Sequence, residues 1–130
     1  MKKGDLHTKE FTITNQVYEG FINVFHDRNP LHVDPNFACS KGFDGEVMHG
    51  NILAGFISFF IGECLPIKNV IIHSQEIQYK RPVYLNQELL LQAEVIDVFA
   101  SVNVVELKYH FRLKTDLQVV AKGKIQLGII

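Results

Sequence analysis

The chain has 130 residues, of which 47% are hydrophobic, so it is long enough for one domain spanning residues 1–130 and too short for two ordinary ones. Its formal net charge of -1 excludes a general attraction to nucleic acid or to an anionic membrane surface. Cys39 and Cys64 form no CxxC pair, and the chain starts with charged residues instead of an apolar signal segment, so a reducing cytoplasm is the expected location.

The first third of the chain predicts a strand, a helix and a turn-rich segment. Residues 8–14 alternate and are rich in threonine, which is typical of a short strand. Asn15 is interpreted as a helix cap, because apolar residues then recur at helical spacing as far as His26. Residues 27–48 contain several prolines and glycines and are interpreted as turns, with a short helical turn after Pro35.

Residues 50–65 predict a second helix that is apolar on almost every side. A helix without a polar face must be wrapped on most sides by the rest of the protein. The small residues Gly55, Ser58 and Gly62 fall at helical spacing, and another backbone is expected to approach closely along them. The uncharged run is shorter than the roughly 20 residues that a membrane span requires, so a buried helix is predicted and no membrane anchor.

The remainder of the chain, after Pro66, predicts strands. Alternation within residues 104–113 and 119–129 gives each strand one buried and one wetted face. The runs 70–81 and 88–99 complete four long strands, and their short links suit antiparallel pairing. The expected fold is therefore α+β, with a curved antiparallel sheet wrapped around the apolar helix.

The segment DRNPLH at residues 27–32 places a carboxylate and an imidazole on a segment that must turn. Asn29 suits the first position of a tight turn and Pro30 the second, so Asp27 and His32 are expected to lie close together. By itself, such a pair is also typical of a structural turn closed by side-chain hydrogen bonds.

An ionised Asp27 and a His32 that can take or give a proton could together hold one water molecule. This division of labour suits the addition of water across a conjugated double bond, or the reverse elimination. The reaction also needs a group that stabilises negative charge on the substrate carbonyl. Gly50 is expected to supply it, because free backbone N–H groups lie at the start of a helix and the missing side chain lets a carbonyl approach.

These residues, together with the dipeptides at 37–38, 42–43 and 49–50 and with Ser58, resemble the MaoC-like hot-dog dehydratases. That family comprises (R)-specific enoyl-CoA hydratases and 3-hydroxyacyl thioester dehydratases. The detailed match runs over residues 27–66, and the YKRPV segment at 79–83 agrees in pattern. The resemblance implies a hot-dog fold and a lyase that reversibly hydrates trans-2-enoyl thioesters to (R)-3-hydroxyacyl thioesters in fatty-acid-type metabolism.

The resemblance also implies roles for single residues. Asp27 and His32 would position and activate water, with Asp27 favoured as the base, and the N–H of Gly50 would bind the thioester carbonyl. Ser58 would hydrogen-bond the Asp27 carboxylate, and Asn29 would stabilise the turn. A homodimer is implied, with the acyl chain running into the subunit interface.

The substrate is expected to carry its own CoA or phosphopantetheine, the latter on an acyl carrier protein, and no further cofactor is expected. Lys80 and Arg81 could contact the phosphate of that carrier, although paired charges at a strand end are also typical of a solvated surface. The sequence departs from the family at 25–26, where Phe-His replaces a small residue and Gly, and at 85–87, where Leu-Asn-Gln replaces Gly-Asp. The first change places a large ring and an imidazole beside the site.

Two other functions fit the predicted fold. A hot-dog thioesterase would use a carboxylate to activate water against the thioester carbonyl, but it leaves the turn at 27–32 unexplained. A non-catalytic acyl-thioester binding module is suggested only by the change at 25–26. No metal site is expected, because His26, His32 and His49 match none of the usual zinc spacings.

The remaining polar residues receive structural interpretations. His49 is expected to cap or pack before the helix, without a catalytic role. His73 is interpreted as a core histidine and His110 as solvated. Ser58 lacks the Gly-x-Ser-x-Gly elbow of a nucleophile, so a supporting hydroxyl is favoured.

Overall fold

The computed structural model describes all 130 residues. Five strands form one antiparallel sheet in the order β1-β3-β4-β5-β2, and the sheet curves around a central helix. This arrangement confirms the predicted architecture. The elements in chain order are β1 (Leu6–Thr12), α1 (Asn15–Phe25), α2 (Pro30–Val33), α3 (Pro35–Ser40), α4 (Gly50–Phe59), β2 (Val70–Tyr79), β3 (Glu88–Phe99), β4 (Val104–Leu113) and β5 (Val119–Ile129).

The central strands follow the alternation of the sequence. Leu91 and Val95 of β3 and Leu107 and Phe111 of β4 point into the core and are buried, while their neighbours along each strand are more exposed. The register between strands is irregular at three places, one in each of the pairs β2–β5, β3–β4 and β4–β5. These irregularities are consistent with the bending of the sheet. The inner face of the curved sheet therefore forms one side of the core.

Helix α4 provides the other side of the core, and a π-helical turn at Phe60–Cys64 extends it. Ile52, Leu53 and Ile57 are buried against the sheet. The opposite side of α4 is exposed within one chain, where a Cβ added at Gly55 would meet no atom within 4 Å. The expectation that other parts of the chain wrap α4 on most sides is therefore wrong for this stripe, and no backbone of the same chain approaches it.

Several local predictions need correction. Thr14, and not Asn15, caps α1, because its Oγ1 accepts a hydrogen bond from the N–H of Val17 at 3.2 Å. Strand β2 ends at Tyr79, so the residues that follow it lie in a loop. His73 is exposed and lies at the register shift of β2, where the bulge breaks the alternation that predicted a core position. No helix in the structure has the length and apolar character needed to cross a membrane.

Candidate active site

Two successive side-chain turns follow the end of α1. His26 ends the helix in the left-handed region at φ 63°, and its N–H donates to the carbonyl of Ile22 at 2.8 Å. The Asp27 carboxylate then accepts the N–H of Asn29 at 3.1 Å, and the Asn29 side chain accepts the N–H of Leu31 at 3.0 Å. These bonds turn the chain into α2 and place Asp27 at the mouth of the site. Asn29 thus stabilises the turn, which is the role that the resemblance implied for it.

His32 faces the Asp27 carboxylate from the first turn of α2. Its Nε2 lies 3.8 Å from Oδ2 of Asp27, a separation too long for a direct hydrogen bond. Its Nδ1 lies 2.7 Å from the carbonyl oxygen of Val47. Because a carbonyl only accepts, Nδ1 carries the hydrogen, and the lone pair of Nε2 is directed toward the carboxylate.

The backbone around His32 is held from two further directions. The Tyr18 hydroxyl of α1 donates to the carbonyl of His32 at 2.7 Å, and the N–H of Val47 donates to the carbonyl of Leu31 at 3.1 Å. The imidazole is mostly enclosed, with 17% of the side chain exposed, whereas the Asp27 side chain is 50% exposed. The pair therefore joins a fixed imidazole to a carboxylate that solvent can reach.

His49 packs directly behind the pair, a contact that the sequence did not predict. Its ring stacks on that of His32 at 3.9 Å between centroids, and its Nε2 lies 2.8 Å from the backbone carbonyl of Asp27. Burial lowers the pKa of His49, and this effect exceeds the opposing effect of the hydrogen bond to Asp27. The position of His49 immediately before Gly50 was the signal available in the sequence.

Gly50 begins α4, and its backbone N–H has no hydrogen-bond partner within the chain. The ring of Tyr79 covers the Cα of Gly50, since a Cβ added there would lie 2.8 Å from the Cε1 and Cζ atoms of Tyr79. The missing side chain thus makes room for Tyr79, a residue that sequence reasoning did not single out. The free N–H lies at the positive end of the helix and can bind a carbonyl oxygen.

Two concave regions meet at the pair. A cavity of about 430 Å³ is lined by His32, Gly50 and Tyr79, with Lys80 and Arg81 at its edge. A mostly apolar groove of about 640 Å³ lies between α1 and α4 and contains Asp27. The two proposed catalytic side chains therefore lie where a polar-edged cavity adjoins an apolar groove.

Ser58 lies on α4, as the sequence predicted, but the hydrogen bond to Asp27 that the resemblance implied is not made within the chain. The Ser58 side chain is exposed, about two helical turns beyond Gly50. The carboxylate is held by the N–H of Asn29 instead. Lys80 and Arg81 are exposed and form no ion pair within the chain, so their charges are free at the edge of the cavity.

Asp27, His32 and His49 each offer a ligand atom within 4.8 Å of the others, which is a composition suited to a metal ion. The two imidazole rings stack with an interplanar angle of 29°. Ring nitrogens bind a metal in the plane of the ring, so nearly parallel stacked rings direct their lone pairs side by side and not toward one ion.

Known proteins resemble this chain in sequence and structure. The MaoC like domain model matches residues 2–115. An (R)-specific enoyl-CoA hydratase of Aeromonas caviae is 37% identical over 75 residues, which cover 58% of this chain and 56% of that relative. A mitochondrial 3-hydroxyacyl-[acyl-carrier-protein] dehydratase of Arabidopsis thaliana is 27% identical over 109 residues, covering 84% and 64%. The match thus spans less than two thirds of either curated relative.

Among solved structures, the (R)-hydratase of A. caviae involved in PHA biosynthesis superposes with a TM-score of 0.90 at 24% identity. The superposition covers 100% of this chain and 98% of that one. This likeness confirms the hot-dog fold, in which the curved sheet wraps the central helix.

Proposed function

The chain belongs to the MaoC-like domain family, and from this membership we propose that it is a hydro-lyase acting on acyl thioesters. The proposed reaction is the reversible hydration of a trans-2-enoyl thioester to the (R)-3-hydroxyacyl thioester. The observation that carries the proposal is the gap of 3.8 Å between Asp27 Oδ2 and His32 Nε2, which adjoins the unpaired N–H of Gly50.

The pair is suited to holding one water molecule. Both Asp27 Oδ2 and the Nε2 lone pair of neutral His32 are acceptors, so neither satisfies the other, and a water about 2.8 Å from each could donate one hydrogen to each. The hydrogen bond from Nδ1 to Val47 keeps this tautomer of His32. The water oxygen is then left with its lone pairs facing away from the pair, toward a substrate.

The proton balance of the reaction follows from this arrangement. Asp27 takes one proton from the water as the C–O bond forms at C3 of the enoyl group, and His32 orients the second hydrogen, which stays on the new hydroxyl. The electron pair of the double bond moves toward the thioester carbonyl, and protonated Asp27 returns its proton to C2. Elimination of water is the same sequence in reverse.

The N–H of Gly50 is the proposed stabiliser of the carbonyl oxygen. Negative charge develops on that oxygen while water adds at C3, and a fixed donor at a helix start stabilises it without having to reorient. Gly50 and His32 line the same cavity, so a thioester carbonyl at Gly50 can place its double bond near the water.

The carrier of the acyl group is proposed to be CoA or the phosphopantetheine of an acyl carrier protein. Lys80 and Arg81 stand free at the edge of the cavity and are suited to phosphate oxygens. The names of the relatives include both carriers, since one acts on CoA thioesters and another on carrier-protein thioesters. No cofactor beyond the substrate's own carrier is proposed.

We propose a homodimer as the assembled state. Val24 and Phe25 of α1 are 66% and 67% exposed, and Phe59 of α4 is 49% exposed. Together with the apolar groove between these helices they form a large apolar face, here called the α1–α4 face. A second copy would cover this face, and the exposed Gly55 would let its backbone approach α4.

A cytoplasmic location is also proposed. Cys39 and Cys64 are free thiols in the structure, which supports a reducing compartment.

The hydration proposal is tested by adding purified protein to an enoyl-CoA and following the absorbance of the conjugated thioester. A decrease that depends on Asp27 and His32 supports it.

A further inference from the structure

Apart from Tyr109, whose hydroxyl donates to the Glu76 carbonyl, His49 is the one buried polar side chain of the molecule, with 3% of its surface exposed. The steps described above for water and substrate make no use of it. Its ring lies between that of His32 on one side, at 3.9 Å, and that of Phe21 on the other, at 4.6 Å. A buried polar group in such a place needs a reason, since burying an imidazole costs free energy unless its nitrogens are paired.

The hydrogen-bond partner fixes which nitrogen of His49 carries the hydrogen. Nε2 lies 2.8 Å from the Asp27 carbonyl, which only accepts, so Nε2 must donate. Nδ1 is buried and has no partner, so a second proton there would have no acceptor. Burial lowers the pKa of His49 as well, which favours the neutral ring with its hydrogen on Nε2.

The hydrogen bond from His49 contacts the catalytic pair through the backbone carbonyl of Asp27. The Asp27 carbonyl belongs to the same residue whose carboxylate faces His32, and it lies where α1 has ended and no regular element holds the chain. The same ring also supports the face of His32. His49 thus touches both members of the pair without facing the cavity with an exposed polar atom.

We propose that His49 is a positioning residue, whose Nε2–H fixes the backbone of Asp27 and thereby sets the separation between the carboxylate and His32. The inference rests on the proposed hydration reaction, because the pair is catalytic only there. In this proposal the Nε2–H of His49 is the contact that positions Asp27, and the stacking of the ring on His32 is not sufficient to do so.

Two substitutions separate the donor from the ring. His49→Phe keeps the flat ring against His32 and removes the donor, whereas His49→Gln removes the ring and keeps an amide nitrogen near the position of Nε2. In His49→Phe we expect kcat to fall by about 10- to 100-fold, because a displacement on the order of 1 Å at a catalytic group can cost that much. KM should change by less than about twofold, since His49 holds Asp27 and not the substrate.

His49→Gln should recover most of the kcat lost in His49→Phe. Wild-type kcat in His49→Phe, a loss confined to KM, or equal losses in both variants would overturn the assignment to the donor. Ile61→Ala is the control for general destabilisation, because Ile61 is buried at the far end of the central helix and it should keep wild-type kcat while folded.

A second measurement does not depend on turnover. Nitrogen-15 spectra of the wild-type imidazole rings at neutral pH should show His49 as the neutral tautomer with hydrogen on Nε2, and hydrogen on Nδ1 would overturn the inference even if the variants lose activity. If the wild-type protein hydrates no enoyl thioester, the proposed reaction fails, while these spectra still decide whether His49 donates to Asp27.

Discussion

The Nε2 atom of His32 faces Oδ2 of Asp27 across 3.8 Å, and both atoms are hydrogen-bond acceptors when the imidazole is neutral. Two acceptors at this separation are stabilised by a donor placed between them, and a water molecule is the smallest group with two hydrogens to donate. Because Nδ1 of His32 donates to the Val47 carbonyl, Nε2 is left free to accept from such a water molecule.

The two nitrogens of His32 predict different outcomes for two amide substitutions. His32→Asn keeps a donor near Nδ1 for the Val47 carbonyl and loses Nε2, so it should fold as the wild type does while kcat falls by about 10²-fold, because the water loses the acceptor that orients it. His32→Gln should lose similar activity and also melt at a lower temperature, because the Val47 carbonyl loses its donor. Steady-state kinetics and thermal melts measure both effects.

His73→Asn is the matched control for these variants, since His73 is exposed at the bulge of β2, away from the pair. It should keep wild-type kcat. Full activity in His32→Asn would mean that Nε2 has no part in the reaction.

The contact between Gly50 and Tyr79 predicts that Gly50→Ala depresses activity. The new Cβ would lie 2.8 Å from the Tyr79 ring, so the ring must shift and α4 must adjust beside the free N–H. We expect kcat/KM to fall by about 10-fold or more, because the backbone N–H is kept but is displaced from the position that a developing oxyanion needs. The double variant Gly50→Ala/Tyr79→Val should recover part of the loss, because the clash is relieved.

Gly45→Ala provides the comparison for Gly50→Ala, because a Cβ added at Gly45 meets nothing within 4 Å. It should leave kcat/KM unchanged. A Gly50→Ala variant with full activity would show that the close approach of the Tyr79 ring to Gly50 is not needed.

The α1–α4 face predicts self-association. Sedimentation of the wild type should give twice the 14.8 kDa of one chain, since an exposed apolar surface of this kind is stabilised by a second copy. Phe25→Glu should shift the protein toward the monomer, because it places a charge in the middle of that face. Val102→Glu, at an equally exposed apolar side chain in the turn before β4, should not. A monomeric wild type would contradict the proposed homodimer.

The buried His49 predicts a change of stability with pH. Burial lowers the pKa of His49 in the folded chain below its usual 6.5, so the unfolded chain binds the proton more readily. The free energy of unfolding should therefore hold its full contribution from neutral His49 above about pH 6.5 and decrease as the pH falls below that value. The contribution of one proton is at most about 1.4 kcal/mol per pH unit.

Urea unfolding at pH 7, 6 and 5 measures this dependence. His49→Phe and His49→Gln both lack the titratable ring. In both variants the free energy of unfolding should therefore decrease less with falling pH than in the wild type. If the free energy of unfolding decreased equally with falling pH in all three proteins, His49 would take up its proton as readily in the folded chain as in the unfolded one.

The strands were predictable because their pattern is local. Alternation predicted β4 and β5 with the bounds that the structure shows, since the same side chains that alternate along each strand also fill the core. Where the register shifts, the alternation misleads. His73 lies at such a shift in β2, and the sequence placed it in the core when it is exposed.

The site was predictable as far as it is built from one turn and one helix start. The proline and asparagine after Asp27 set the turn, and Gly50 marks the start of α4. The contact of Ser58 with Asp27, which the resemblance implied, is not made within one chain, where Ser58 is exposed on α4. Tyr79 over Gly50 is a contact between distant segments and has no local signature.

The departure from the family pattern at Phe25 and His26 has two consequences. Phe25 lines the apolar groove that also contains Asp27, so a large ring lies beside the site, as the sequence suggested. His26 is exposed and occupies the left-handed conformation that favours the glycine usual in the family at that position. Its imidazole lines neither of the two concave regions, so this second change concerns the end of α1.

The most direct test of the proposed reaction is the absorbance of crotonyl-CoA in the presence of the purified protein. Hydration removes the conjugated double bond, so the absorbance should decrease and (R)-3-hydroxybutyryl-CoA should form. Asp27→Asn should slow this by about 10²–10⁴-fold, while Asp34→Asn, which alters a similar side-chain turn before α3, should not. No decrease with crotonyl-CoA, longer enoyl-CoAs or an enoyl carrier protein, full activity in Asp27→Asn, or release of free thiol from saturated acyl-CoA instead would contradict the account.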